Sequence, residues 1–238
     1  MTESRLAEET FFRPVRPGNA FEDTVQRLLQ TIRLGVVAPG DSLPSERELA
    51  VRLGVSRDTV REALRSLGEA GYVVARRGRY GGTFVADDLP HPEPQDSPAL
   101  DAAALEEVLA LREVLEVGAA RLAASRTLPA PERDLLWRAL EEVTGADPAD
   151  YRRLDSRLHL VIAEITGVRS LVTLVADSRM RLNRLLDEIP LLERNIAHSD
   201  EQHRTLVTAI LAGQADAAAA AVEEHLAGSA ALLRGFLA

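Results

Sequence analysis

From Pro39 to Val85 the chain spells out two short capped helices, a tight turn between them and a glycine-rich hairpin, and that order leaves few folds open. Pro39-Gly40 is a turn pair, and Ser45 followed three residues later by Glu48 is the capping-box pattern of a helix start. Leu49, Ala50 and Leu53 recur at helical spacing until Gly54 ends the run. Ser56 caps a second helix, whose apolar stripe is Val60, Ala63, Leu64 and Leu67 and which stops at Gly71. Two helices joined by Gly54-Val55-Ser56 are helix-turn-helix grammar. Tyr72-Val73-Val74 and Thr83-Phe84-Val85 are β-prone runs, and the basic, glycine-rich stretch from Arg76 to Gly82 between them reads as the tip of a wing.

Charge places this unit against a polyanion. Arg57, Arg61 and Arg65 share one face of the second helix, opposite its apolar stripe, where arginine can pair with guanine or hold phosphate. The free N–H groups at the Ser56 end of that helix also suit a phosphate. Arg47, at the start of the preceding helix, is expected on the DNA backbone. Residues 47 to 79 hold eight arginines against four acids, on a chain whose net charge is −9. A solvated arginine face would account for the spacing alone, but not for caps, turn and basic wing in this order.

The segment Pro39 to Ala50, then Gly54-Val55-Ser56-Arg57 and Val60-Arg61-Glu62-Ala63-Leu64, resembles the winged-helix signature of GntR-family transcriptional regulators. The likeness spans about residues 20 to 86. It implies operator contacts from Arg47, Arg57, Thr59, Arg61, Arg77 and Gly78. Asp58 departs from the pattern, which usually has threonine or proline there. An acid at that position either accepts from cytosine N4 or holds Arg61 in a local ion pair.

Composition bounds the remainder. At 238 residues and 46% apolar content there is room for two modest domains. No apolar run approaches the roughly 20 residues that span a bilayer, and the first nineteen residues lack the apolar core of a signal peptide, so a cytoplasmic protein is expected. Cysteine is absent, which excludes disulfides, thiolate catalysis and cysteine zinc fingers. Residues 1–86 sum to +2 and residues 87–238 to −11, so the second part should avoid DNA. The expected division is a flexible segment at 1–19, a winged helix-turn-helix at 20–86, a proline-rich linker at 87–99 and an all-helical domain at 100–238.

Beyond the linker every periodic segment is helical. Leu105, Val108, Leu109, Leu111, Leu115 and Leu122 line a long helix ending before Pro129. A second runs near Glu132 to Val143. Asp147-Pro148 caps a third, reaching Gly167, and Ser170 opens a fourth that ends before Pro190. Ser199 with Gln202 forms a capping box for a fifth, and a sixth carries Val222, Leu226 and Leu233. The fold expected is mainly α: a winged head with a small β-wing, then a bundle of six or seven helices whose surplus apolar faces point to a homodimer.

Histidine concentrates the chemistry. His203 and His225 lie eleven residues on either side of position 214, so an antiparallel hairpin brings them to one height. Asp155 and His159 are four apart, on one helix face. Three imidazoles and a carboxylate suit a divalent first-row ion, zinc first, with nickel or another metal open. The plainer reading is a helix-surface ion pair and two hydrogen-bonded core histidines. His91 and His198 stand apart, in the linker and before the expected helix cap.

An all-helical domain behind such a head resembles the FCD domain of the FadR subgroup. In its metal-binding members an Asp-x-x-x-His pair and single histidines on the last two helices hold a divalent ion, and Asp155, His159, His203 and His225 occupy those positions. The resemblance also implies a small organic or sugar acid as effector, with Arg112 facing it through a forked contact. For Arg112 a surface salt bridge to Glu116 is the alternative. The function expected is sequence-specific regulation of transcription by a dimer on an inverted-repeat double-stranded operator, controlled by a carboxylate at the metal and without catalysis. A metal-free regulator and a metal-dependent hydrolase fused to a DNA module are the rivals. The hydrolase would need a base beside the metal water, and no His-Glu-x-x-His motif is present.

Overall fold

The computed structural model describes residue 12 and residues 20–78, 81–90 and 102–237. Among these residues the chain forms nine helices and one two-stranded sheet, divided between two compact units.

The first unit holds α1 (Ala20–Arg33), α2 (Glu46–Leu53), α3 (Arg57–Glu69), β1 (Val73–Arg76) and β2 (Gly82–Val85). The punctuation acts as the sequence predicts. Ser45 Oγ accepts from the Glu48 N–H at 3.3 Å, Gly54 ends α2 in the left-handed region at φ 67°, and Ser56 Oγ accepts from the Thr59 N–H at 3.0 Å. Leu28 and Ile32 of α1, Leu49 and Leu53 of α2, and Val60, Ala63, Leu64 and Leu67 of α3 make one core with Tyr72, Val73 and Val85. β1 and β2 pair antiparallel, Val73 opposite Val85 and Arg76 opposite Gly82. A Cβ on Gly81 would lie 2.5 Å from the Arg76 carbonyl oxygen, so the wing closes only around glycine there. The segment before α2 also joins the wing, with the Leu43 N–H donating to Thr83 O at 2.8 Å and the Val85 N–H to Asp41 O at 2.9 Å. Sequence pattern gave no sign of that third edge.

The flexible segment expected at 1–19 lies outside the described residues except for Phe12. That ring is buried in the first unit's core, with the Arg52 guanidinium 5.7 Å from its centroid. At this one position the expectation of flexibility does not hold, because burial of an aromatic side chain is favourable. Most of the proline-rich linker is likewise outside the described residues.

The second unit contains α4 (Ala102–Ala124), α5 (Ala130–Thr144), α6 (Pro148–Ile165), α7 (Arg169–Asp187), α8 (Glu193–Leu211) and α9 (Ala215–Leu237). Every residue of α6 from Asp155 to Ile165 is buried, because α4, α5 and α7 all pack on it. The structure corrects three details. α8 begins at Glu193, so Ser199 and Gln202 lie inside a helix and form no cap. α7 starts at Arg169 without a side-chain cap. Leu111 and Leu122, expected to line the core, are 38% and 39% exposed.

Candidate metal centre and nucleic-acid interface

α6 places Asp155 and His159 one turn apart on a face turned inward, and the α8–α9 hairpin turns at Gly213, φ 72°, bringing His203 and His225 to the same level. All four side chains are buried, and one ligand atom from each lies within 4.8 Å of the others. Asp155 Oδ1 is 3.8 Å from His159 Nε2, 3.2 Å from His203 Nε2 and 3.9 Å from His225 Nε2. Ligands each about 2.0–2.2 Å from a common ion sit at such separations.

Partners behind the rings fix their orientation. Glu116 Oε2 on α4 lies 2.6 Å from His159 Nδ1, and Gln202 Oε1 lies 3.3 Å from His225 Nδ1. Each contact is on Nδ1, with Nε2 of the same ring toward Asp155, the arrangement that metal-binding histidines use. His159 Nε2 and both ring nitrogens of His203 are buried without a hydrogen-bond partner. Such orphaned atoms cost roughly 1–3 kcal/mol each, and a cation among them would satisfy the inward-facing ones. Burial lowers His159 and His225 below the ordinary imidazole range, which keeps them neutral and able to ligate. Burial works against ionisation of Asp155, but Arg179 and the neighbouring histidines hold its carboxyl well below the usual range. The four residues therefore fit a divalent ion.

Two buried arginines complete the surroundings. Arg179 of α7 donates to Asp155 Oδ2, and its Nη1 is 3.7 Å from Glu116 Oε1. Its Nε and Nη1 have no hydrogen-bond acceptor. Arg112 donates through Nε to Glu116 at 3.3 Å and through Nη1 to Ser229 at 2.6 Å, at 2% exposure. Its Glu116 partner was legible, but the pair is interior rather than at the surface. Two guanidinium groups and two carboxylates cancel, so this buried set is neutral without an ion. Tyr151 and Asp200 lie at its edge, where burial pushes both acidic groups upward.

Sequence reasoning missed Arg179 and the role of Glu116, though a signal existed. Arg179 falls in the α7 stripe of Val172, Val175, Ala176, Leu182 and Leu185, and Arg112 with Glu116 interrupts the α4 stripe of Leu105, Leu109, Ala119 and Ala123. Charges on a core-facing stripe need partners.

In the first unit Ser56, Arg57, Asp58, Arg61 and Arg65 are exposed along α3, with Thr59 half-buried, Arg47 exposed on α2 and Arg77 and Gly78 exposed on the wing. Arg61 is held twice, by Asp58 at 2.9 Å and Glu46 at 3.1 Å. Of the two roles open to Asp58, the free protein displays the ion pair. Among the described residues Arg47, Arg57 and Arg77 make no ion pair, which leaves their charge available to a polyanion.

Comparison with known proteins identifies the family of each unit. Residues 21–85 match the bacterial regulatory proteins of the gntR family, and residues 107–228 match the FCD domain. The chain is 30% identical over 218 residues to the HTH-type transcriptional regulator LutR of Bacillus subtilis, covering 86% of this chain and 97% of that one. To the Uxu operon regulator of Haemophilus influenzae it is 32% identical over 215 residues, 84% of this chain and 77% of the relative. The solved structure of Escherichia coli McbR/YncC superposes with a TM-score of 0.57 at 19% identity, covering 91% and 98% of the two chains, which shows the shared fold.

Proposed function

Because the chain belongs to the GntR family and carries an FCD domain, it is a DNA-binding transcriptional regulator, and we propose that a small carboxylate bound beside a metal ion in its helical unit sets its grip on an operator. The observation that carries this reading is the convergence of three histidine Nε2 atoms and Asp155 Oδ1 in a buried set whose charges already cancel. Asp155, His159, His203 and His225 would hold the ion, which supplies a Lewis-acid position where a carboxylate oxygen can bind. A dication added to a neutral buried set leaves uncompensated positive charge, and an anionic ligand relieves it. Arg179, with two unsatisfied donors, is placed to grip such an anion, and Arg112 adds charge behind it. An organic or sugar acid has the required chemistry.

On the DNA side, α3 enters the major groove with Arg57, Asp58, Thr59 and Arg61 toward base edges, while Arg47, Arg77, Gly78 and the α3 N-terminus at Ser56 meet phosphate. A homodimer on an inverted repeat then spaces its two α3 helices about 34 Å apart, and a ligand that alters that spacing weakens both half-sites together. The reading needs no catalytic step. No helix among the described residues is long and apolar enough to cross a membrane.

The test is a thermal-shift screen of small carboxylic acids on untagged, metal-loaded protein, repeated after chelation. A stabilising acid whose effect vanishes with the ion supports a shared site. An acid that stabilises chelated protein equally well separates effector from metal and overturns it.

A further inference from the structure

Two of the candidate ligands owe their ring orientation to different kinds of group. His159 Nδ1 faces Glu116, itself ion-paired with Arg112, and an ionised carboxylate can only accept, so that ring must carry its hydrogen on Nδ1. His225 Nδ1 faces a side-chain amide instead, that of buried Gln202. An amide offers an acceptor oxygen on one side and a donor nitrogen on the other, and a half-turn about its last bond exchanges them. A neutral imidazole can answer either end. Gln202 and His225 alone therefore leave the tautomer of this ring undecided, and a third group must decide it.

That group is His198, which stands outside the four-residue set. It lies one turn before Gln202 on α8, exposed, with its Nε2 3.1 Å from Gln202 Nε2. The amide nitrogen only donates, so His198 Nε2 accepts. Gln202 Oε1 is thereby turned toward His225 Nδ1, 3.3 Å away, and can only accept from it. With its hydrogen on Nδ1, a neutral His225 carries its lone pair on Nε2, the atom 3.9 Å from Asp155 Oδ1. With the amide reversed, Nδ1 would accept, Nε2 would bear the hydrogen, and the ring would turn an N–H toward the candidate ion. Such a ring cannot ligate.

We propose that His198 is a positioning residue for the candidate metal centre: through the Gln202 amide it sets which nitrogen of His225 bears the hydrogen, and so presents Nε2 to the ion. Among the described residues His198 makes no hydrogen bond to any of the four ligands, and its influence passes through Gln202. An exposed side chain on α8 thus governs a buried ligand on α9 without movement of either helix.

The inference rests on the metal reading above, and the experiment separates the two. In full-length, untagged protein, His198→Glu supplies an acceptor alone and should keep the wild-type zinc affinity, while His198→Lys supplies donors alone and should weaken it about tenfold, read by competition with a chromogenic chelator. Charge by itself would produce the same order, so both substitutions are repeated with Gln202→Leu, where they should bind zinc alike. A difference that persists without the amide overturns the proposal. The tautomer is read directly in metal-free protein from long-range nitrogen–proton correlations of labelled histidine, with the His225 signals identified by their loss in His225→Ala. The hydrogen should sit on Nδ1 of His225 in the wild type and in His198→Glu, and on Nε2 in His198→Lys. The same tautomer in all three overturns the proposal. If the tautomer follows residue 198 but the wild type binds no zinc, the relay stands and the metal reading falls.

Discussion

At the scale of single residues, the account turns on which atoms are left bare. Gln202 orients His225 through Nδ1 without touching the candidate ion position. Gln202→Leu should therefore weaken metal binding about 10–100-fold, read by competition with a chromogenic chelator. An unchanged affinity would mean that the ring needs no such support. The histidines also set a pH dependence. Burial depresses His159 and His225 below their ordinary 6.5, so below that value the unfolded chain binds more protons than the folded one. Stability of the chelated protein should then fall as pH drops from about 6.5 toward the depressed values. A melting temperature flat between pH 7 and 5 would contradict this sign. On the DNA side, Arg61→Ala should cost about 1–3 kcal/mol of operator affinity while leaving the thermal response to carboxylates intact. Loss of both would show that head and sensor are not separable.

Among the elements, those with their own punctuation were legible and those defined by packing were not. Ser45, Gly54 and Ser56 bounded α2 and α3 because their signals are local. Ser56→Ala should accordingly cost about 1 kcal/mol of stability in the first unit through loss of the bond from the Thr59 N–H, measured by chemical denaturation. The start of α8 was misplaced by several residues because a Ser-x-x-Gln pattern inside a helix looks the same as one at its end. There, Gln202 serves His225 instead. The third edge of the wing, Asp41 to Leu43, has no alternation to betray it and is held by backbone bonds and by Leu43 in the core. For the candidate site, spacing alone brought out Asp155 and His159 as neighbours and His203 opposite His225. Their meeting at one point depends on how α6 is buried among α4, α5 and α7. Arg179 escaped notice because a lone arginine on an apolar stripe shows its purpose only when Asp155 and Glu116 stand opposite it.

Across the whole molecule, the division of charge reflects a division of labour. The positive head carries arginines without ion pairs, and the acidic helical unit encloses a neutral cluster that, in the function proposed above, takes up a cation and then an anion. The most direct measurement of that linkage is operator affinity by fluorescence anisotropy, using an inverted-repeat site selected from random-sequence DNA. Metal-loaded wild-type protein would be titrated with and without the stabilising carboxylate, beside chelated protein and His203→Ala. The account predicts that the carboxylate shifts the binding midpoint of the metal-loaded wild type alone. An equal shift in the chelated protein or in His203→Ala, or none in the wild type, would contradict it.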